Sequence, residues 1–170
     1  MIQILNLKKE DIEAVVEIEK KLLLETIGYE MLANELHNKY AHFYVAKKDD
    51  EVLGYIGGWI IDTTCDMINF VVKEEYQRLG IGTKLFKTLE NKTKELNAFE
   101  ILLEVRISNT KAQNFYYKHG FKEIFVRPKY YKNGEDALIL RKELYEDTSN
   151  WIKLWWNKYC NSWRCKTCFE

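Results

Sequence analysis

One passage constrains this chain more than any other. An apolar, β-branched run, Asn69-Phe70-Val71-Val72, leads through a charged connector to the glycine turn Gln77-Arg78-Leu79-Gly80-Ile81-Gly82, which opens into Thr83 to Leu89 at helical spacing. Strand, glycine turn and helix must therefore follow one another here. Glycines at 80 and 82 let successive backbone N–H groups converge on one point at a helix N-terminus, where the helix dipole favours negative charge. The passage reads as a pyrophosphate cradle, with an ordinary glycine turn capping a core helix as the plain alternative. Two other cradles are excluded by spelling. A P-loop ends Gly-Lys-Ser/Thr, whereas the order here is Gly82-Thr83-Lys84, and the dinucleotide fingerprint needs a third glycine where Leu85 stands.

The pattern Gln/Arg-x-x-Gly-x-Gly/Ala resembles motif A of the GCN5-related N-acetyltransferase (GNAT) superfamily, which moves acetyl from acetyl-CoA to an amine. Two later stretches, Leu103 to Asn109 (Leu-Glu-Val-Arg-Ile-Ser-Asn) and Asn114 to Phe121 (Asn-Phe-Tyr-Tyr-Lys-His-Gly-Phe), resemble the ribosomal-protein-alanine N-acetyltransferases of the RimI type in residues and spacing. Tyr130-Tyr131 followed by Gly134-Glu135-Asp136-Ala137 continues the likeness. It runs from about Asp66 to about Leu144, and more loosely over residues 1 to 65. The resemblance implies an α/β (α+β) GNAT fold, a mixed and mostly antiparallel sheet of about seven strands flanked by helices and split beside the acetyl-CoA site.

Composition sets the outer bounds. A chain of 170 residues that is 46% hydrophobic and 31% charged makes one ordinary globular domain. Its 26 basic and 26 acidic side chains cancel, so it lacks the broad positive field of a non-specific nucleic-acid binder. The start, Met1 to Lys8, has no charged segment ahead of an apolar run, and no stretch approaches membrane-spanning length. The expectation is a cytoplasmic protein with reduced cysteines, no membrane span and no direct contact with nucleic acid.

Periodicity predicts the elements. Ile2 to Leu7 alternates as a first strand; Ile12, Val15, Val16, Leu22 and Leu23 share a helical face; Tyr29 to Lys39 forms a second short helix. His42–Lys47 and Val52–Ile61 are strands around a hairpin turn at Asp49-Asp50, and Asp66–Val72 extends the meander. Glu100–Val105 reads as a buried strand, Lys111–His119 as a helix ended by Gly120, and Phe121–Arg127 and Glu135–Leu140 as final strands. The predicted domain covers residues 1–145, with a Trp- and Cys-rich extension over 146–170 that is helical in part.

The resemblance implies roles residue by residue. Backbone groups of Phe70, Val71 and Val72 pair with the pantetheine arm. Arg78, Leu79, Gly80, Ile81, Gly82 and Thr83 wrap the pyrophosphate, and Asn109 hydrogen-bonds the cofactor arm, unless it is simply a helix N-cap. Glu104, on a strand otherwise built from Ile101, Leu102, Leu103 and Val105, is the expected base, its carboxyl partly desolvated and acting directly or through water. The plain alternative pairs it with Arg106, its same-face neighbour. Tyr116 is the expected partner of the leaving thiolate, or a core aromatic beside Ala112, Phe115 and His119. Tyr117 points elsewhere on that helix, and His119 is read as structural.

Tyr130 and Tyr131 occupy the loop that covers the incoming peptide in protein N-terminal acetyltransferases, or else shield the sheet end. The implied activity is acetyl transfer from acetyl-CoA to a protein α-amine, foremost the N-terminal alanine of a ribosomal protein. A small-molecule or lysine acetyltransferase and a non-catalytic acetyl-CoA-binding module are the alternatives. Leu22 to Tyr29 lacks the Trp-containing segment often seen in RimI-like enzymes, a departure at the wall facing the peptide. In the tail, Ile152, Trp155, Trp156, Tyr159 and Trp163 make a helical apolar stripe for packing on the chain itself or on a second copy, with contact to a membrane surface as the alternative. Cys160, Cys165 and Cys168 are one ligand short of a structural zinc site with no histidine following, so no metal is expected.

Overall fold

A computed structural model describes residues 1–145. They form a seven-stranded sheet in the order β1-β2-β3-β4-β5-β7-β6. The strands are β1 (Ile2–Asn6), β2 (Ala41–Lys48), β3 (Glu51–Ile61), β4 (Thr64–Val72), β5 (Glu100–Arg106), β6 (Lys122–Arg127) and β7 (Ala137–Glu143). Helices α1 (Ile12–Leu22) and α2 (Tyr29–Glu35) pack on one face, α3 (Ile81–Glu95) and α4 (Thr110–Lys118) on the other. Class, element order and the mostly antiparallel sheet are as expected.

Alternation builds the two layers. On β5, Ile101, Leu103 and Val105 enter the core shared with Ile81, Leu85, Phe86 and Leu89 of α3. Glu100, Leu102, Glu104 and Arg106 therefore turn to the opposite face. There Ile12, Val15, Val16 and Ile18 of α1 and Leu32 of α2 close on Phe43, Val45, Tyr55 and Val71. A buried carboxylate also lies on this side. Glu19 accepts hydrogen bonds from Asn69 Nδ2 (2.6 Å), Ile27 N (3.2 Å), Gly28 N (3.3 Å) and the Tyr55 hydroxyl, tying the α1–α2 loop to β3 and β4.

One irregularity positions the site. Among the described residues β4 and β5 are the only parallel neighbours, and their pairing stops after Thr64↔Glu100 to Met67↔Leu103. Against β3, the register of β4 steps from Met67↔Gly58 to Asn69↔Gly57, so Ile68 is an inserted residue. Such a bulge bends its strand, and here β4 departs from β5 beyond it while β5 continues along β7 to Arg106↔Ala137. A wedge opens in the sheet, the split that the resemblance implies.

Boundaries differ where side chains take backbone partners. Helix α2 stops at Glu35 rather than Lys39, since His37 and Asn38 N–H groups turn to Asn34 and Glu35 carbonyls and Asn38 Oδ1 accepts from Tyr40 N at 3.0 Å. Strand β7 begins at Ala137 rather than Glu135: Glu135 reaches Ser108, and Asp136 Oδ1 accepts from Lys129 N at 2.8 Å, which holds both in the loop. Among the described residues no helix is long and apolar enough to cross a membrane, and no group of three or more His, Cys, Asp or Glu could hold a metal ion. The tryptophan stripe and Cys160, Cys165 and Cys168 lie outside the described residues.

Candidate active site

The glycine turn becomes the first turn of α3. Gly80 is the N-cap in the left-handed region, φ 79° and ψ 0°, and no side chain caps the helix. The first N–H groups of a helix have no intrahelical partner, so those of Ile81, Gly82 and Thr83 are left without one, while Lys84 N donates to Gly80 O. A Cβ built on Gly80 meets nothing within 4 Å, so its glycine is required by backbone conformation alone. At Gly82 packing also bears on the choice of glycine. A Cβ there would meet Phe70 Cζ at 3.1 Å and the Phe115 ring at 3.6 Å. Arg78 precedes the turn at φ 61°, and Leu79 is exposed.

Backbone direction corrects the expectation for β4. Lys73 N donates to Leu53 O on β3, and antiparallel alternation then turns the polar groups of Val71 toward Tyr55. Those of Phe70 and Val72 face the wedge. Val71 is thus a core residue of the α1 side, not a partner for a pantetheine arm. Gln77, which the motif does not single out for this task, donates from Nε2 to Val72 O at 2.7 Å and accepts from Lys111 Nζ at the start of α4. Asn109 is the N-cap of α4, its Oδ1 accepting from Ala112 N at 3.1 Å. The capping alternative therefore holds, and it leaves Nδ2 as the donor facing outward.

Glu104 shares the sheet face that α1 and α2 cover, but neither helix's core cluster extends to β5, and its side chain remains 35% exposed. Its partner is not Arg106 but Arg127 of β6, Nη1 to Oε1 at 3.2 Å. Arg127 also lies over the Tyr130 ring, which meets Tyr131 edge to face, so Glu104 is linked to the β6–β7 loop through that guanidinium.

Tyr116 is buried among Phe70, Phe115 and Phe121, with ring centroids at 6.4, 5.7 and 5.5 Å. The core-aromatic alternative therefore holds for this residue. Burial pushes its pKa above the ordinary tyrosine value. Tyr117 is exposed on the next face, and His119 Nδ1 lies 2.8 Å from Phe115 O, a helix-end contact.

The β6–β7 loop carries Tyr130 and Tyr131, edge to face at 5.0 Å. Arg127 lies over the first ring at 4.9 Å and Arg106 over the second at 3.6 Å. Burial raises the Tyr131 hydroxyl to about 12. Arg106 and Glu135 are the residues that sequence reasoning missed as site members. The sign of each was legible, but their partners lie in loops remote in sequence.

The profile described as the acetyltransferase (GNAT) family matches residues 6–121, and the chain belongs to this family. Over 137 residues it is 39% identical to a putative ribosomal protein bS18-alanine N-acetyltransferase of Bacillus subtilis, covering 79% of this chain and 91% of that one. It is 36% identical over 155 residues to an N-alpha-acetyltransferase of Sulfurisphaera tokodaii, covering 84% and 93% respectively. Among solved structures, the PaiA N-acetyltransferase of Thermoplasma acidophilum in complex with coenzyme A superposes with a TM-score of 0.70 at 25% identity, over 84% of this chain and 99% of that one.

Proposed function

We propose that this chain transfers acetyl from acetyl-CoA to the α-amino group of a protein N-terminus, and more narrowly to the N-terminal alanine of a ribosomal protein, by direct attack in a ternary complex. The observation that carries this reading is the meeting, at one wedge in the sheet, of an uncapped helix N-terminus, a free edge of β4 with Tyr116 packed against its Phe70, and Glu104 on the adjoining strand β5. Arg78 and the N–H groups from Leu79 to Thr83 hold the pyrophosphate. The main chain of Phe70 and Val72 pairs with the pantetheine amides, and Asn109 Nδ2 supports the arm.

Glu104 then takes a proton from the incoming ammonium, directly or through water. An α-amine with pKa near ~7.7–8.0 is already roughly a tenth neutral at pH 7, so a modest base suffices. The neutral nitrogen attacks the thioester carbonyl carbon; the C–N bond forms, the C–S bond breaks, sulfur leaves with the electron pair, and the nitrogen gives its second proton to water. Tyr116 donates a hydrogen bond to that sulfur. Its raised pKa keeps the proton on oxygen, so the thiolate is stabilised here and protonated by solvent. Tyr130 and Tyr131 offer their hydroxyls to peptide carbonyls. The likeness to the Bacillus subtilis and Sulfurisphaera tokodaii proteins supports an α-amine substrate.

The test is incubation with acetyl-CoA and peptides differing only in their first residue, beside polyamines and internal-lysine peptides. Acetylation of α-amines with alanine foremost is expected. Turnover of polyamines or lysine side chains alone overturns the reading.

A further inference from the structure

Two residues beyond Glu104, on the same face of β5, Arg106 sits with its side chain only 15% exposed, yet every partner of its guanidinium belongs to a loop. Nη1 donates to Glu135 Oε2 at 2.9 Å and to Asn133 Oδ1 at 3.1 Å, and the guanidinium plane covers the Tyr131 ring; all three belong to the β6–β7 loop. Nη2 donates to Glu25 Oε1 at 3.3 Å, in the α1–α2 loop. That same oxygen accepts from Lys132 N at 3.4 Å, so Glu25 touches both the strand and the opposite loop. Glu135 is fastened from behind by Ser108 N at 3.0 Å and by Ser108 Oγ at 2.5 Å. Leu24, Glu25, Thr26, Arg106, Lys132 and Asn133 line a hollow between the two loops.

We propose that Arg106 is the positioning residue of the peptide side: it clasps the α1–α2 and β6–β7 loops into one preformed wall and fixes the Tyr131 ring against it. The proposal rests on the N-terminal acetyltransferase reading above. Three properties of arginine are used at once, namely two nitrogens on separate acceptors, a permanent charge between two carboxylates and a flat face on an aromatic ring. A lysine keeps the charge and loses the fork and the stack. Without the clasp each loop must be ordered by the incoming peptide, which weakens its binding. The cradle at Gly80, the edge of β4 and the Glu104–Arg127 pair make no contact with Arg106 in the hydrogen bonds and ion pairs of the site. The effect should therefore fall on peptide binding and spare the cofactor and the chemical step.

Steady-state kinetics with an N-terminal peptide and calorimetry with acetyl-CoA test this on wild type, Arg106→Lys, Glu25→Gln and the double variant, with melting temperatures recorded alongside. Arg106→Lys should raise the peptide KM about tenfold, with kcat within about threefold and acetyl-CoA affinity unchanged. Glu25→Gln should raise KM less, and the double variant should be no worse than Arg106→Lys, because the two share one contact. Glu25 lies on an exposed loop, so its variant reports on the clasp even where Arg106→Lys fails to fold. A peptide KM within about twofold of wild type in both variants, or a fall in kcat at constant KM, overturns the clasp while wild-type peptide acetylation leaves the functional reading standing. A wild type that acetylates no peptide removes that reading, and the clasp with it.

Discussion

At Tyr116 the distinction between a packing role and a chemical one comes down to a single oxygen. Tyr116→Phe retains the ring among Phe70, Phe115 and Phe121 and removes only the donor to sulfur, so kcat should fall roughly 10²-fold while the melting temperature barely moves. Tyr117→Phe, on an exposed face about 100° around the helix, should leave both unchanged. Equal, small effects on kcat would return Tyr116 to the core. Glu104→Gln should lower turnover by about 10² to 10⁴ with acetyl-CoA affinity near normal, checked by single-turnover rates and calorimetry. These residues were legible because each sits in a run whose spelling and spacing resemble a known motif. Their partners were not. The Glu104–Arg127 pair spans 23 positions and the Arg106–Glu25 contact 81, and no local period links residues so far apart.

At the scale of elements, the two motif glycines separate into different physical jobs. Gly80→Ala should cost roughly 1–2 kcal/mol of stability, since an L side chain is disfavoured at φ 79°. Gly82→Val should weaken acetyl-CoA binding by displacing Phe70, whose main chain borders the wedge, and a companion Phe70→Leu should recover part of that affinity. Calorimetry on the pair checks it; unchanged affinity in folded Gly82→Val removes Gly82 from the site. Helices α1 and α3 and the β2–β3 hairpin were readable because their apolar spacing or turn residues are local properties. The bulge at Ile68 was not, because one inserted residue leaves the run Met67 to Val72 as apolar as an unbroken strand. The ends of α2 and β7 were missed for a related reason: side chains of Asn38, Glu135 and Asp136 compete with the ladder for backbone partners.

For the whole molecule, the sheet is two antiparallel halves held by one short parallel ladder and by α3 packed across it. Leu85, fully buried in that packing, should lose about 2–5 kcal/mol on change to alanine, read from denaturant midpoints. The loops respond to acid. Hydrogen bonds from Ser108 and Arg106 hold the Glu135 carboxyl down at about 2, below its value in an unfolded chain near ~4.3. A group lowered in this way contributes its stability above the unfolded value and loses it as pH falls toward the folded one. The melting temperature should therefore be insensitive to this group at neutral pH and drop between about pH 4 and 2, and Glu135→Gln should flatten that drop. The same wedge has a consequence in time. The amides of Phe70 and Val72 sit in a regular strand yet donate to no neighbouring strand, so in deuterated water they should exchange orders of magnitude faster than that of Val71 between them. Addition of acetyl-CoA should slow these two and leave Val71 as it was, turning an alternating pattern of labelling along β4 into a uniform one.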